Sequence, residues 1–313
     1  MNIPLVSIPI ITYNQAEYVE ETVMSAINQD YENLQIIVCD DASSDETPKT
    51  LLNLLNKFPD RLEVHFNEKN LGQANNRDKS NQLSKGKYLT YLDGDDVFLP
   101  GKISKQVKLL EENPEIAICY HNVEVFDSFT GETNFYWKER FGYGDGEIRN
   151  FIQYGNNLCS LAFMFRKKDI PTEKFSHSGQ DWLYFVEVMN KGGGKYHYID
   201  EVLARYRRHS ENMTLNWEDK INGQIHTLNI LHKRYPQYHS QINIRRSEVL
   251  LTKSLFFAAR KEYLVAIRNL FSSLKFVFPA IWRVLRIPLR EIKFFISKGG
   301  KADHLIKSLI KSE

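Results

Sequence analysis

The segment 91-YLDGDDVFLP-100 places three carboxylates, Asp93, Asp95 and Asp96, within four residues, directly after the apolar run 87-KYLTYL-92. Clustered carboxylates repel one another, and a divalent cation, which prefers oxygen ligands, relieves that repulsion. An Asp-x-Asp pair at a strand end leaves two carboxylates able to reach one ion. The competing reading is a solvated turn at the start of a helix, because Asp caps helices and favours turns. A second acidic pair, Asp40 and Asp41, closes the run 34-LQIIVCD-40. Two acidic strand ends on one rim would suit a metal-bound polyphosphate, since Mg2+ uses one or two carboxylates together with substrate phosphates. The chain has no Gly-x-Gly-x-x-Gly and no Gly-x-x-x-x-Gly-Lys-Ser/Thr. Dinucleotide-binding and P-loop chemistry are therefore set aside. The metal and Arg or Lys side chains must carry the phosphate charge.

The elements that must position these acids alternate. Apolar runs over 4–13, 34–40, 61–66 and 87–92 read as strands. Helical spacing over 17–29, 43–58, 73–86 and 101–113 falls between and after them. This βαβα order predicts an α/β fold with a doubly wound, mostly parallel sheet. Ligands of such sheets sit beyond the carboxyl ends of the strands. Asn14, the pair Asp40 and Asp41, and the turn Asp93 to Asp96 all fall at such ends. Further strands are expected over 116–127, 161–167, 195–199 and 202–208, with a helix over 180–192. From about residue 217 the spacing is helical throughout, and 247–274 reads as a helical hairpin whose apolar residues pack together.

Composition sets the outer limits. The 313 residues are 42% hydrophobic and 26% charged, as in an ordinary globular protein able to bury a core. A net charge of +2 gives no hint of nucleic acid. Cys39, Cys119 and Cys159 are isolated and fit neither a disulfide framework nor a metal knuckle, so they read as reduced core thiols in a cytosolic setting. The N-terminal apolar run has no basic residues before it and no small-residue cleavage site after it, and reads as a strand rather than a signal peptide. No run of about 18 apolar residues is present, so no transmembrane helix is expected. The charge is uneven: residues 271–302 carry +6, which leaves −4 for the rest.

Four blocks in order, 6-VSIPIITYN-14, 36-IIVCDDASSDET-47, 70-NLGQANNRD-78 and 88-YLTYLDGDDVFLP-100, resemble the successive motifs of family 2 glycosyltransferases. The resemblance covers roughly residues 4–210. It implies a GT-A fold and transfer of a sugar from a nucleotide-diphosphate donor, with inversion at the anomeric carbon and a divalent cation, Mn2+ or Mg2+. Carried onto this chain, it places Tyr13 and Asn14 against the nucleotide base. It has Asp41 hydrogen-bonding the base, which favours uracil or thymine, and Arg77 facing the base or the phosphates. Asp93 and Asp95 become the Asp-x-Asp pair, Asp95 as the direct metal ligand and Asp93 near the ribose and the metal. The family's general base matches Asp181 in 178-SGQDWLYFVEV-188, where Gln180 stands in place of the usual Glu. Without the resemblance, Asp181 reads as a carboxylate complementing a helix dipole. Trp182 reads either as a platform for an acceptor sugar or as core. The segment 205-RYRRHSENMT-214 matches a family motif in which His209 ligates the metal or touches the diphosphate and Arg207 or Arg208 neutralises phosphate. One departure is visible: Pro9 lies four residues before Tyr13, and Ile11 occupies the family's later Pro position.

Residues 1–215 are thus expected to form the catalytic domain and 216–313 a helical C-terminal extension. Within the latter, 276–301 reads as a basic amphipathic helix for an anionic membrane surface, with a basic face packed against the domain as the alternative. The expected partners are a nucleotide-sugar donor and a glycan or lipid-linked acceptor, with no nucleic acid. The expected place is the cytoplasm, peripheral on the inner face of the cell membrane, in bacterial surface-polysaccharide assembly. Two rival readings are a sugar nucleotidyltransferase, which lacks support because 12-TYNQAEY-18 has no Gly, and a catalytically silent membrane-associated scaffold.

Overall fold

The computed structural model describes residues 3–141, 144–155, 159–173, 180–209 and 217–276. The chain divides into two compact units, one of Met1–Ile148, Asn156–Ser176 and Tyr184–Ser210, the other of Arg149–Gly155, His177–Leu183 and Glu211–Glu313.

The first unit begins with the alternation read from the sequence: β1 (Val6–Thr12), α1 (Val19–Ile27), β2 (Leu34–Asp40), α2 (Thr47–Lys57), β3 (Leu62–Phe66) and α3 (Gln73–Leu83). Strand β1 is buried along its whole length, which is why it is continuously apolar rather than alternating. It pairs in parallel with β2, and β2 with β3. The expected strand 87–92 is instead two short strands, β4 (Tyr88–Leu89) and β5 (Leu92–Asp93), both parallel to β1. Pro9 accounts for the break. Ser7 and Ile11 turn their carbonyls to this side of β1, where they accept from the backbone N–H groups of Thr90 and Gly94. Pro9 follows the same alternation and has no N–H to offer there. The ladder lapses between Leu89 and Leu92.

After β5 the chain makes the acidic turn, forms β6 (Val97–Phe98) and enters α4 (Lys102–Glu112). The second half adds β7 (Ile116–Asp127), β8 (Thr133–Tyr136), α5 (Trp137–Phe141), β9 (Gly146–Glu147), α6 (Ile148–Tyr154), β10 (Met164–Arg166), α7 (Gln180–Gly192) and β11 (Lys195–Arg208). A short 3-10 turn at Ser160–Ala162 takes the first residues of the expected strand 161–167. The two strands expected over 195–208 are one, with register irregularities around Ile199–Val202 that absorb Asp200 and Glu201. The sheet order is β3-β2-β1-β4-β10-β7-β11-β6. Its first strands are parallel as expected, whereas β10 enters antiparallel between β4 and β7, so the sheet is mixed.

This topology gives the acidic turn its place. β5 pairs with β1, while β6, only four residues later, pairs with β11 at the other end of the order. The turn Asp93–Asp96 therefore spans from the end of β1 to the end of β11. All three cysteines are buried free thiols.

The described residues of the second unit are helical: it takes in nearly all of α6 and the first turn of α7, and adds α8 (Trp217–Arg234), α9 (His239–Ala259) and α10 (Tyr263–Leu274). α9 and α10 form an antiparallel hairpin, with Ser254 Oγ donating to the Ala266 carbonyl and Ser247 Oγ to that of Ser273. Lys261 takes a left-handed conformation in the turn between them. Among the described residues no helix is long and apolar enough to cross a membrane. The segment 277–301, which carries almost all of the expected basic helix, lies outside the described residues.

Candidate active site

β1 ends at Thr12, and the next residues leave the sheet. Tyr13 is 48% exposed. Asn14 has a φ of +52°, in the left-handed region that Asn tolerates better than most residues. Its N–H donates to Ser43 Oγ and its Oδ1 accepts from the Ser44 N–H, each at 2.8 Å. The Asn14 side chain thus holds the loop after β1 to the loop after β2. On that second loop, Asp40 is buried and accepts from both the N–H and the hydroxyl of Ser43. Burial pushes the Asp40 carboxyl above its ordinary range, against the pull of those hydrogen bonds.

Asp41 is buried and accepts three hydrogen bonds: from Asn67 Nδ2 and the Leu71 N–H on Oδ1, and from the Gly72 N–H on Oδ2. A carboxylate offers about four lone-pair sites, so room remains for one further donor, such as a ring N–H. Asn67 also donates to Asn76 Oδ1 and accepts from Lys79 Nζ, while Asn76 donates to the Cys39 carbonyl. Asn67 and Asn76 were not singled out from sequence. The only signal was the density of Asn in 67-NEKNLGQANN-76.

Arg77, on α3, reaches Asp93 rather than standing alone. Its guanidinium lies 3.1 Å from Asp93 Oδ1 and 5.0 Å from the centre of the Tyr91 ring. Asp93 is one-third exposed. Two residues on, Asp95 Oδ2 is 2.8 Å from His209 Nε2, with both side chains largely covered. The structure therefore joins Asp95 to a residue 114 positions away, at the end of β11. The His209 ring sits on Tyr18, with centroids 4.9 Å apart. Between Asp93 and Asp95, Gly94 is required: a Cβ there would come within 2.7 Å of Thr12 Cβ and 2.3 Å of Gln15 Oε1.

Asp96 plays a different part. It is buried, and its Oδ1 accepts from the Arg207 N–H at 2.9 Å. Burial, reinforced by the Asp95 and Asp93 carboxylates, holds its pKa well above the ordinary value. Arg207 is also buried, between Tyr18 and Phe126, and donates to the Asp95 carbonyl and to Glu21. It thus serves as a strap between the acidic turn and β11. The phosphate contact expected of it does not fit this arrangement, because its charge is already matched under aromatic rings.

The Asp93 and Asp95 oxygens are donors of the kind that Mn2+ or Mg2+ prefers, and the His209 nitrogen lies beside Asp95. Among the described residues, no group of three or more His, Cys, Asp or Glu side chains is placed so that it could hold a metal ion by itself. An incomplete set of this chemistry fits a cation that fills its shell with phosphate oxygens.

Asp181 lies in the first turn of α7, within the second unit. Trp182 is 2% exposed, and its indole N–H donates to the Phe151 carbonyl at 3.3 Å. Of its two sequence readings, the geometry fits core. No face of the ring is open for a sugar to stack on.

Comparison with known proteins identifies a family and a fold. A family model described as glycosyl transferase family 2 matches residues 7–170. The chain is 29% identical to a UDP-Glc:alpha-D-GlcNAc-diphosphoundecaprenol beta-1,3-glucosyltransferase, WfaP, of Escherichia coli, over 72% of this chain and 85% of that one. It superposes on S. aureus TarS 1-349 in complex with UDP-GlcNAc at a TM-score of 0.60 and 18% identity, covering 98% of this chain and 91% of that one. It also superposes on the mannosyltransferase PcManGT from Pyrobaculum calidifontis, in complex with GDP-Man and Mn2+, at a TM-score of 0.59 and 14% identity, covering 100% and 85%. At such identities the two likenesses speak for the fold, which is of the GT-A type. The chain spans about two thirds of the length of several other curated relatives it matches.

Proposed function

The chain belongs to glycosyl transferase family 2, and on that premise we propose that it transfers one sugar from a UDP-sugar to a hydroxyl of a glycan or lipid-linked acceptor, with inversion. The observation that carries this reading is the acidic turn. Asp93 is bonded to Arg77 and Asp95 to His209, beside the loop in which Asp41 retains room for one donor. Carboxylates, an imidazole and a guanidinium in one place suit a nucleoside diphosphate with its counter-ion better than a neutral ligand. That the WfaP relative uses UDP-Glc supports a uridine donor.

Tyr13 lies against the base, and Asp41 accepts its ring N–H. Asp93 holds the ribose side, and Arg77 stands toward the phosphates. Asp95, Asp93 and His209 would hold a divalent cation, Mn2+ or Mg2+, which when bound neutralises the departing diphosphate. Asp181 is the general base. It takes the proton of the acceptor hydroxyl as that oxygen forms its bond to the anomeric carbon. In the same displacement the bond from that carbon to the diphosphate oxygen breaks, and the nucleoside diphosphate leaves. The acceptor is lipid-linked, as the WfaP relative's name describes for that protein. The reaction belongs to surface-polysaccharide assembly at the inner face of the cell membrane. The catalytic part runs to about residue 215, and 276–301 meets the anionic surface.

Calorimetry with UDP, dTDP, GDP and CDP, with and without Mn2+, tests the donor half. Metal-dependent binding of UDP, abolished in Asp95→Ala, is expected. An Asp181→Asn variant should bind UDP as the wild type does while transfer falls by about two to four orders of magnitude, the usual range for losing a general base. Normal turnover by that variant would remove Asp181 from the role. Absence of nucleotide binding under every condition would leave the acidic turn a structural one.

A further inference from the structure

The sequence pattern sets small and apolar residues of 258–270 at helical spacing within a helical hairpin. The structure sends most of them outward. α10 meets α9 through Ala266 and Ser273, both buried. Leu264, Ile267, Phe271 and Leu274, at steps of three, four and three, fall on another face of α10, and Tyr263 beside them is exposed as well. Leu264 is 86% exposed and Phe271 63%. A continuous apolar stripe of this kind marks an interaction site rather than scattered surface residues.

We infer that this face of α10 is a docking surface for an anionic lipid bilayer. Charge selects that occupant. No Asp or Glu occurs between Tyr263 and Phe276, and the only ionised residues there are Arg268 and Lys275. In the sequence, α10 is followed by residues 275–301, which contain seven Lys and Arg against the single Glu291. A second copy seated on this face would bring the same cations against themselves. Residues 277–301 folded back over it would add positive charge to a helix with no carboxylate to receive it. A bilayer with anionic headgroups offers an apolar layer for Leu264 and Phe271 and negative charge for Arg268 and Lys275 together. The inference rests on the reading that the acceptor is membrane-borne, but its test contains neither donor nor acceptor.

The full chain is floated with vesicles of phosphatidylcholine alone and of equimolar phosphatidylcholine and phosphatidylglycerol. The wild type should rise with the anionic vesicles. Leu264→Gln/Phe271→Gln, which leaves the charge unchanged, should lose binding by about tenfold or more, as expected when two apolar side chains no longer leave water. A circular-dichroism spectrum and thermal midpoint like those of the wild type report that this variant is folded. Hydrogen exchange over 263–274 in the wild type should slow when the anionic vesicles are added, independently of any variant. A companion variant, Arg283→Gln/Arg286→Gln/Arg290→Gln/Lys293→Gln, addresses the segment 276–301 separately. Loss of binding in the companion alone would overturn the α10 surface and leave the other reading standing. A wild type that stays with neither vesicle would overturn both. A wild-type dimer that the Leu264→Gln/Phe271→Gln variant converts to monomer without lipid would reassign the face to a second copy.

Discussion

At the scale of single residues, the site depends on how each side chain is committed. Asp41, Asn14 and Arg207 spend their polar atoms largely on protein partners. They shape the site by fixing loops. Asp93, one-third exposed, meets the Arg77 guanidinium, and Asp95 meets the His209 imidazole, so these two acids face groups suited to an anionic ligand. Gly94 separates them because Thr12 and Gln15 leave no room for a Cβ. Gly94→Ala should therefore cost about 1–3 kcal/mol, the usual range for overpacking, and should weaken UDP binding by displacing both acids. Denaturant midpoints and calorimetry on the same variant would check this. Unchanged values for both would show that the turn yields easily.

At the scale of elements, helix α4 is anchored by a buried lysine. Lys102 Nζ donates to Thr90 Oγ1 at 2.8 Å and to Gln106 Oε1 at 2.6 Å, and lies 4.5 Å from the centre of the Phe98 ring. Thr90 stands in the gap between β4 and β5, so Lys102 secures α4 where the ladder has lapsed. Burial lowers its pKa from 10.5 to about 7. Between those values the unfolded chain binds the proton and the folded one does not, so stability rises with pH through that window. The cost of burying the charge is fully present below about pH 7. The stability of the wild type relative to Lys102→Met should thus climb from pH 7 toward pH 10, by at most about 1.4 kcal/mol per pH unit. Urea titrations of both proteins across that range measure it. A difference that does not change with pH would mean that Lys102 keeps its proton in the fold.

At the scale of the whole molecule, charge and task are divided along the chain. The acidic turn and its partners lie in the first unit, and the exposed apolar helix lies in the second. A ligand that binds only the folded first unit should stabilise it by mass action, about 2.7 kcal/mol at a hundredfold excess over Kd. UDP with Mn2+ should raise the thermal midpoint of the wild type, and neither component alone should do so to the same extent. If the midpoint does not move in Asp95→Ala, binding and stabilisation share one site. A full shift in that variant would separate them.

Sequence alone carried the order of strands and helices in the first half, because buried parallel strands and amphipathic helices have distinct periods. Strand β2 was read at Leu34–Asp40 and helix α7 at Gln180–Gly192, as found. It also carried the chemical character of the acidic turn, since carboxylates two residues apart declare themselves without a fold. The pairing of Asp95 with His209 was another matter. It exists because β5 and β6 pair with strands far apart in the sheet, and nothing local records such a closure. The break between β4 and β5 needed Pro9, some eighty residues earlier, to be set opposite it. The direction of the apolar residues of α10 was likewise hidden: helical spacing shows that a face exists, and only the packing of Ala266 and Ser273 against α9 decides which face is left to solvent.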